Sequence, residues 1–322
     1  MRFHLALSSC LALAVCGLAA PASADTYPGK PITLVVAYPP GGSTDLTGRA
    51  LGTELSQRLG VPVIIDNVGG AGGAIGAQKV ANAAPDGYTL LAGASNELAI
   101  AKLISTSVRY EQKDFTAIGL IASQPLVLVA APTANVKNTD EFLALIRKNP
   151  GKYSYGSSGV GTSLHLAGEM IKQQGGIEMT HVPYRGVAPL TSDLMGGNID
   201  FGMFVLSSAL PYIRSGKLVA LGTTEARRST ITPDLPALGE SAALKNMDIG
   251  VWFALVGPAK LPEPVVARLK KALADTLQSP DFRKKMEASS SVVPTAPVDI
   301  DKFIGTETAK YRNIVQFANI KE

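Results

Sequence analysis

The chain of 322 residues sets 30 Lys plus Arg against 26 Asp plus Glu, and no dense basic run is interleaved with aromatics, so a nucleic-acid-binding role is excluded. Its two cysteines, Cys10 and Cys16, both lie in the apolar N-terminal segment. An exported product would therefore carry no disulfide, no thiolate metal site and no cysteine nucleophile.

Arg2, the apolar stretch from Leu5 to Ala20 and the small residues Ala22-Ser23-Ala24 read as a secretory signal peptide over 1–24, cut after Ala24. The apolar stretch is about 16 residues, short of the roughly 20 that span a bilayer. No second long apolar run follows, so the remainder is expected as a soluble protein of the periplasm. The next apolar run, Ile32-Thr33-Leu34-Val35-Val36-Ala37, reads as a buried strand. It ends in Tyr38-Pro39-Pro40-Gly41-Gly42-Ser43-Thr44-Asp45, a loop stiffened by proline and opened by glycine. Apolar residues at helical spacing then run from Leu46 to Leu59. Such a loop presents unpaired amides and the positive end of a helix dipole to an anion.

Further strands are predicted at Val61–Asn67, Thr89–Ala94, Ile118–Ala131, Tyr153–Ser157, Met179–Tyr184, Phe201–Val205, Leu218–Thr223 and Ile249–Gly257. Helical patterns lie between most of them, at Ala74–Ala83, Thr139–Lys148, Ser163–Gln173 and Ala188–Met195. Two more, Pro264–Gln278 and Ile300–Phe317, close the chain. This alternation predicts an α/β fold of βαβ units with largely parallel sheets, whose ligand crevice lies beyond the carboxyl ends of the strands.

Two apolar segments read as crossings between lobes. Ile118–Ala131 is too long for one ordinary strand, and Pro125 interrupts it; Val251–Pro258 holds the only Trp. A chain leaving one lobe near 124 and returning near 250 gives a discontinuous first lobe, 25–124 with 250–322. The second lobe is then 125–249. Two lobes joined by two strands form a hinged clam over a cleft.

The second lobe repeats the first loop in kind. A strand ending in Tyr155 is followed by Gly156-Ser157-Ser158-Gly159-Val160-Gly161-Thr162 and a helix from Ser163. Two glycine- and hydroxyl-rich helix starts facing one another would hold an anion without an arginine. Asp45 and Arg49, four apart, form either a surface ion pair or a carboxylate that meets a ligand ammonium or steers the loop amides. Asp200, before a buried strand, reads as a structural acceptor and secondarily as a ligand contact. Gly70-Ala71-Gly72-Gly73-Ala74-Ile75 resembles a dinucleotide fingerprint but has Ile75 in place of the last glycine. Gly156–Val160 falls one glycine short of a nucleophile elbow, and neither His165 nor His181 is well placed to serve Ser158. Two histidines without paired acids make no metal site, and no carboxylate pair suits glycoside hydrolysis.

Tyr27-Pro28-Gly29-Lys30-Pro31-Ile32, Pro39–Asp45 with Arg49, Asn67–Gly73 with Gly76, Pro85-Asp86-Gly87-Tyr88, Tyr155–Thr162 with His165, Val182-Pro183-Tyr184-Arg185-Gly186 and Gly197-Asn198-Ile199-Asp200 occur in this order. Together they resemble the Bug family, periplasmic solute-binding receptors of tripartite tricarboxylate transporters. The resemblance implies a two-lobed periplasmic-binding-protein fold of type II character, with no cofactor, metal or enzymatic chemistry. It implies a monomer that delivers a small carboxylate to membrane permease subunits. The ligand would be a dicarboxylate, an amino acid or an aromatic acid. By motif, Gly41, Gly42, Ser43 and Thr44 would hold the carboxylate in lobe one, with Gly70, Ala71 and Gly72 nearby. Ser157, Ser158, Gly159 and Thr162 would do so in lobe two, with Tyr184 and Gly186 close by. Tyr38 would wall the pocket and could stack on a nicotinate-like ring. Ser95 and Asn96, at the end of the third strand, complete the candidate set with Asp45 and Asp200. Arg185 stands where the family commonly has lysine. Glu97 departs from the family pattern; facing the cleft, it would repel a second carboxylate. The alternatives from other classes are a secreted serine hydrolase built on Ser158 and a ligand receptor that docks onto a sensor.

Overall fold

The computed structural model describes residues 27–229 and 231–321; the signal peptide expected over 1–24 and its expected cleavage site lie outside the described residues. The first unit runs β1 (Ile32–Val36), α1 (Ser43–Leu59), β2 (Val63–Asn67), α2 (Ala74–Ala81) and β3 (Thr89–Ala94). A π-helical turn, Asn96–Ile100, and the short α3 (Ala101–Ile104) follow. β4 (Phe115–Ala130) leads to α4 (Thr139–Lys148), β5 (Ser154–Ser157), α5 (Ser163–Gly175), β6 (Thr180–Pro183) and α6 (Val187–Met195). Then come β7 (Phe201–Val205), α7 (Leu206–Arg214), β8 (Val219–Thr223) and β9 (Gly250–Pro258), and last α8 (Glu263–Leu277), α9 (Pro280–Ala288) and α10 (Ile300–Phe317).

The strands run in the order β2-β1-β3-β9-β4-β7-β5-β6, with β8 also paired to β4. β1 lies parallel to β2 and β3, and β5 parallel to β6 and β7. β4 and β9 bring the antiparallel pairs, with each other and with β3, β7 and β8. The parallel order expected from the alternation thus holds in the outer strands, and the antiparallel members are the ones that cross the molecule.

β4 is one strand of 16 residues rather than two pieces. Pro125 does not break it, because it falls where the strand changes partners. It stands opposite Gly250, the first residue of β9, and from Leu126 onward the pairing passes to β7. A missing N–H is tolerated where a ladder ends. Three helical elements lie outside what the sequence pattern predicts. α7 carries an internal Pro211, α9 is short and rich in charge, and the turn at Asn96–Ile100 has a π-helical rather than an α-helical repeat.

Most of the longer helices bury one face on the sheet, while α9 packs on α1 and α8. In α1 that face includes Leu51, Leu55 and Leu59, and Gly48 lets the helix close onto β1, since a Cβ there would come 2.6 Å from Val36 Cγ2. Each such leucine contributes about 1.5–3 kcal/mol on leaving water. Trp252 of β9 is buried and donates its indole N–H to the Tyr311 hydroxyl of α10 at 3.1 Å. α10 packs against β4 and the π turn, and also reaches the helix α5. Among the described residues no helix is long and apolar enough to cross a membrane.

Candidate functional site

A cavity of about 670 Å³ opens between the two halves, beyond the carboxyl ends of the strands. Its walls come from Tyr38–Thr44 and Leu46 after β1, Ala94 and Asn96 at the end of β3, Ser158 and Thr162–Leu164 after β5, Arg185–Ala188 after β6, Val205, Ser207 and Ser208 at the end of β7, and Val251 of β9. A second cavity of about 580 Å³ adjoins it, walled by Gly70–Gly72, Val108, Ser158–Thr162, Tyr184 and Arg185. Asn96, Ser158, Thr162 and Arg185 border both.

Four helices begin at the larger cavity: α1, α5, α6 and α7. The residues preceding α1, α6 and α7 are Gly42, Gly186 and Val205, none of which caps the first turn with its side chain. The first amides of these helices are left for another acceptor. α5 is satisfied differently. Thr162 Oγ1 accepts from His165 N at 3.3 Å, and Asn96 Oδ1 accepts from Ser163 N at 3.1 Å across the opening. Each helix terminus contributes roughly 0.3–1 kcal/mol toward an anion, up to about 2 when partly buried.

Asp45 stands behind this cradle rather than in it. Its buried carboxylate accepts from Gly41 N at 2.8 Å, Arg49 Nε at 2.9 Å and Asn67 Nδ2 at 2.9 Å. Burial opposes its charge, but these bonds, Arg49 first, hold its carboxyl below the usual range. The ammonium-contact reading of Asp45 is corrected by this engagement; the residue pins the loop. Gly41, at φ +92°, makes the turn that brings its amide to Asp45. Gly42 has an ordinary φ of −79° and open space where a Cβ would stand.

Glu97 does not face the opening. The π turn tucks its carboxylate beneath Tyr38, where it accepts from the Tyr38 hydroxyl at 2.7 Å and from Ala94 N. It is 1 % exposed and borders neither cavity. Burial pushes its carboxyl up to about 7, against the opposing pull of those two hydrogen bonds. Repulsion of a second carboxylate by Glu97 is thereby answered: the group is walled off. Tyr38 borders the larger cavity with its hydroxyl held by Glu97 and within 3.0 Å of Gly72 O.

The other candidates divide in the same way. Gly41, Gly42, Ser43, Thr44, Asn96, Ser158, Thr162 and Gly186 border the larger cavity, as does Tyr38. Gly70, Ala71, Gly72, Gly159 and Tyr184 border the adjoining one. Three candidates border neither. Ser95 is fully buried, and Asp200 accepts from Ser154 N at 3.2 Å within the sheet. Ser157 is fully buried and lies 2.7 Å from His181 Nε2.

His181 in turn stacks on His165, ring centroids 3.7 Å apart and 9° from parallel. Gly161 N donates to His165 Nδ1 at 3.1 Å. Burial pushes both imidazoles down, to about 4 for His165 and about 3 for His181, and the second is lowered further by its neighbour. The serine beside a histidine is thus the buried Ser157. Ser158, which borders the cavities, has no histidine bonded to it among the described residues, so the geometry gives no support to a hydrolase built on it.

Ser207, Ser208, Val187 and Ala188 were not singled out in the sequence, although they border the larger cavity. The rule that ligands bind beyond strand ends would have reached the two serines, which follow the strand ending at Val205 directly. Ser207 also ties the site to the crossing strand. Its hydroxyl donates to Gln124 Oε1 at 3.3 Å, and Gln124 Nε2 donates to Ser291 Oγ at 2.6 Å and Ser289 O at 3.2 Å.

Comparison with known proteins agrees with this geometry. A family model described as the tripartite tricarboxylate transporter family receptor matches residues 47–320. A Bordetella pertussis protein named BugT is 33% identical over 312 residues, covering 96% of this chain and 95% of that protein. The solved structure of the periplasmic binding protein BugD is 31% identical, with a TM-score of 0.80 over 92% of this chain and 99% of that one. An R. palustris protein solved with adipate is 29% identical, with a TM-score of 0.83 over 92% and 99% of the two chains.

Proposed function

Because the chain belongs to the tripartite tricarboxylate transporter receptor family, a family of solute-binding receptors, we propose that its solute is a small carboxylate held in the 670 Å³ cavity and handed to membrane permease subunits. The observation that carries this reading is the meeting of four helix starts at one cavity, three without a side-chain cap, with no acidic side chain on its walls. Adipate in the R. palustris relative is in keeping with it.

The energetics suffice. Hydrogen bonds to a charged group contribute about 1.5–3 kcal/mol each, so a few of them with the helix termini reach the roughly −8 kcal/mol of a micromolar complex. The lobes divide near 124 and 250, where β4 and β9 cross, and the ligand holds them together by touching both. In this reading the receptor acts as a monomer. It is exported by the N-terminal signal and works in the periplasm, where its mature form begins at Asp25.

The test is a thermal-shift screen of C4 to C6 dicarboxylates, amino acids and aromatic acids, each beside its uncharged amide. A carboxylate at 100 times its Kd adds about 2.7 kcal/mol and raises the melting temperature, while its amide does not. Stabilisation by amides as strong as by acids would refute the carboxylate assignment.

A further inference from the structure

Arg185 is the sole charged side chain on the walls of either cavity among the described residues, and it borders both. No carboxylate of the described residues lies within ion-pair distance of it, whereas the other charged groups near the loops, Asp45, Arg49 and Glu97, are committed to protein partners. Its backbone is fixed on both sides. Tyr184 N donates to Ser157 O at 3.0 Å, and the Tyr184 hydroxyl donates to Asp193 Oδ2 at 2.8 Å. Gly186, at φ +100°, then turns the chain directly into α6. Arg185 is exposed, and its guanidinium has no protein partner among the described residues, so it is free to meet a ligand that extends from one cavity to the other.

The uncapped helix starts supply amides for one anionic group in the larger cavity. At the junction the other side chains, Asn96, Ser158 and Thr162, are uncharged, so the one full positive charge there is that of Arg185, two residues before the start of α6. A guanidinium there matches a carboxylate in a paired, forked geometry that amides and hydroxyls do not reproduce. Resting on the carboxylate reading given above, we propose that Arg185 selects ligands by charge count, pairing a second anionic group at the junction while the helix starts hold the first. A ligand of the same length with a methyl end leaves the guanidinium without a partner and gains only contact area.

Calorimetric titration of the full-length mature receptor with two matched pairs, succinate against butyrate and adipate against hexanoate, tests this. At low salt the wild-type protein should favour the dicarboxylate of at least one pair by about tenfold or more, the worth of one charged hydrogen bond. In R185Q the ratio should collapse to near one, in R185K most of it should remain, and added sodium chloride should erode it in the wild type. A dicarboxylate preference that survives R185Q, or one that is absent from the wild type although monocarboxylates bind, would overturn the role of Arg185 and leave the receptor reading standing. Failure of every carboxylate to bind the wild type would overturn the receptor reading and this inference together. Circular dichroism of each variant verifies that a lost ratio does not come from a lost fold.

Discussion

Asn96 Oδ1 accepts the Ser163 amide at 3.1 Å, so a side chain rooted after β3 caps a helix that begins after β5. The bond spans the two halves of the molecule at a residue bordering both cavities. It is a direct polar tie between the walls that a ligand would bridge. A hydrogen bond of this kind contributes about 0.5–1.5 kcal/mol net.

Asn96→Ala should therefore weaken carboxylate binding by up to roughly three- to tenfold and, because the bond is present without ligand, lower the unliganded melting temperature by a few degrees. Isothermal titration gives the first quantity and calorimetric scanning the second. Equal affinity in the variant would show that the tie has no part in holding the closed form.

Gly42→Leu separates binding from folding. The position has φ −79° and open space where a Cβ would stand, so the backbone accepts a side chain without strain. The leucine would occupy space at the start of α1. Affinity should fall by at least about 100-fold, or 2.7 kcal/mol, with the fold intact. Gly159 is the poorer choice, because its φ of +140° makes any substitution strained.

Glu97 gives a pH dependence of known sign. Its folded-state pKa of about 7 lies above the ordinary 4.5, so the folded protein binds the extra proton between these values. Stability from this group is full below about pH 4.5 and falls as pH rises toward 7, by roughly 3 kcal/mol in all. Glu97→Gln should remove that slope. The amide oxygen can keep Ala94 N, while its NH₂ donates to the Tyr38 hydroxyl, which turns to Gly72 O. Urea unfolding at pH 5, 6, 7 and 8 compares the two proteins; parallel curves would refute the assignment.

The histidine pair acts with the opposite sign. Both imidazoles are depressed well below the ordinary 6.5, so the unfolded chain takes up the protons. Their contribution is full above about pH 6.5 and is lost as pH falls toward 4 and 3. The ring resonances of His165 and His181 should stay fixed in NMR spectra from pH 8 to 5.5. Titration of either near 6.5 would mean that the stack is open to water.

Periodicity located most strands and the helices with an amphipathic face, because burial on one side leaves its mark in the residue order. It could not locate α7, where Pro211 argues against a helix, although the apolar and polar faces are well separated. The loops that border the cavities were legible from glycine and hydroxyl composition at Gly41–Thr44 and Ser158–Thr162. The fate of the carboxylates was not. Asp45 follows the first of those loops and Glu97 follows the cavity residue Asn96, yet both are turned inward by partners distant in the chain, Asn67 and Tyr38. Nothing local distinguishes an inward carboxylate from an outward one. Ser207 and Ser208, at the start of α7, lie in a segment with no glycine and were passed over for that reason.

The unbroken course of β4 sets a limit on how this receptor can diverge. From Ala122 to Ala130 its pairing passes from β9 to β7 in unbroken register; the shifts against β9 lie earlier, between Ala117 and Gly119 and between Leu120 and Ala122, and one against β8 lies between Leu128 and Val129. Alternate residues of a strand face opposite sides, so one residue inserted near Pro125 would invert every downstream side chain relative to those upstream. Loops around the cavity can gain or lose residues as solutes change. The crossing strand is the reading frame of the molecule, and descendants must keep its length.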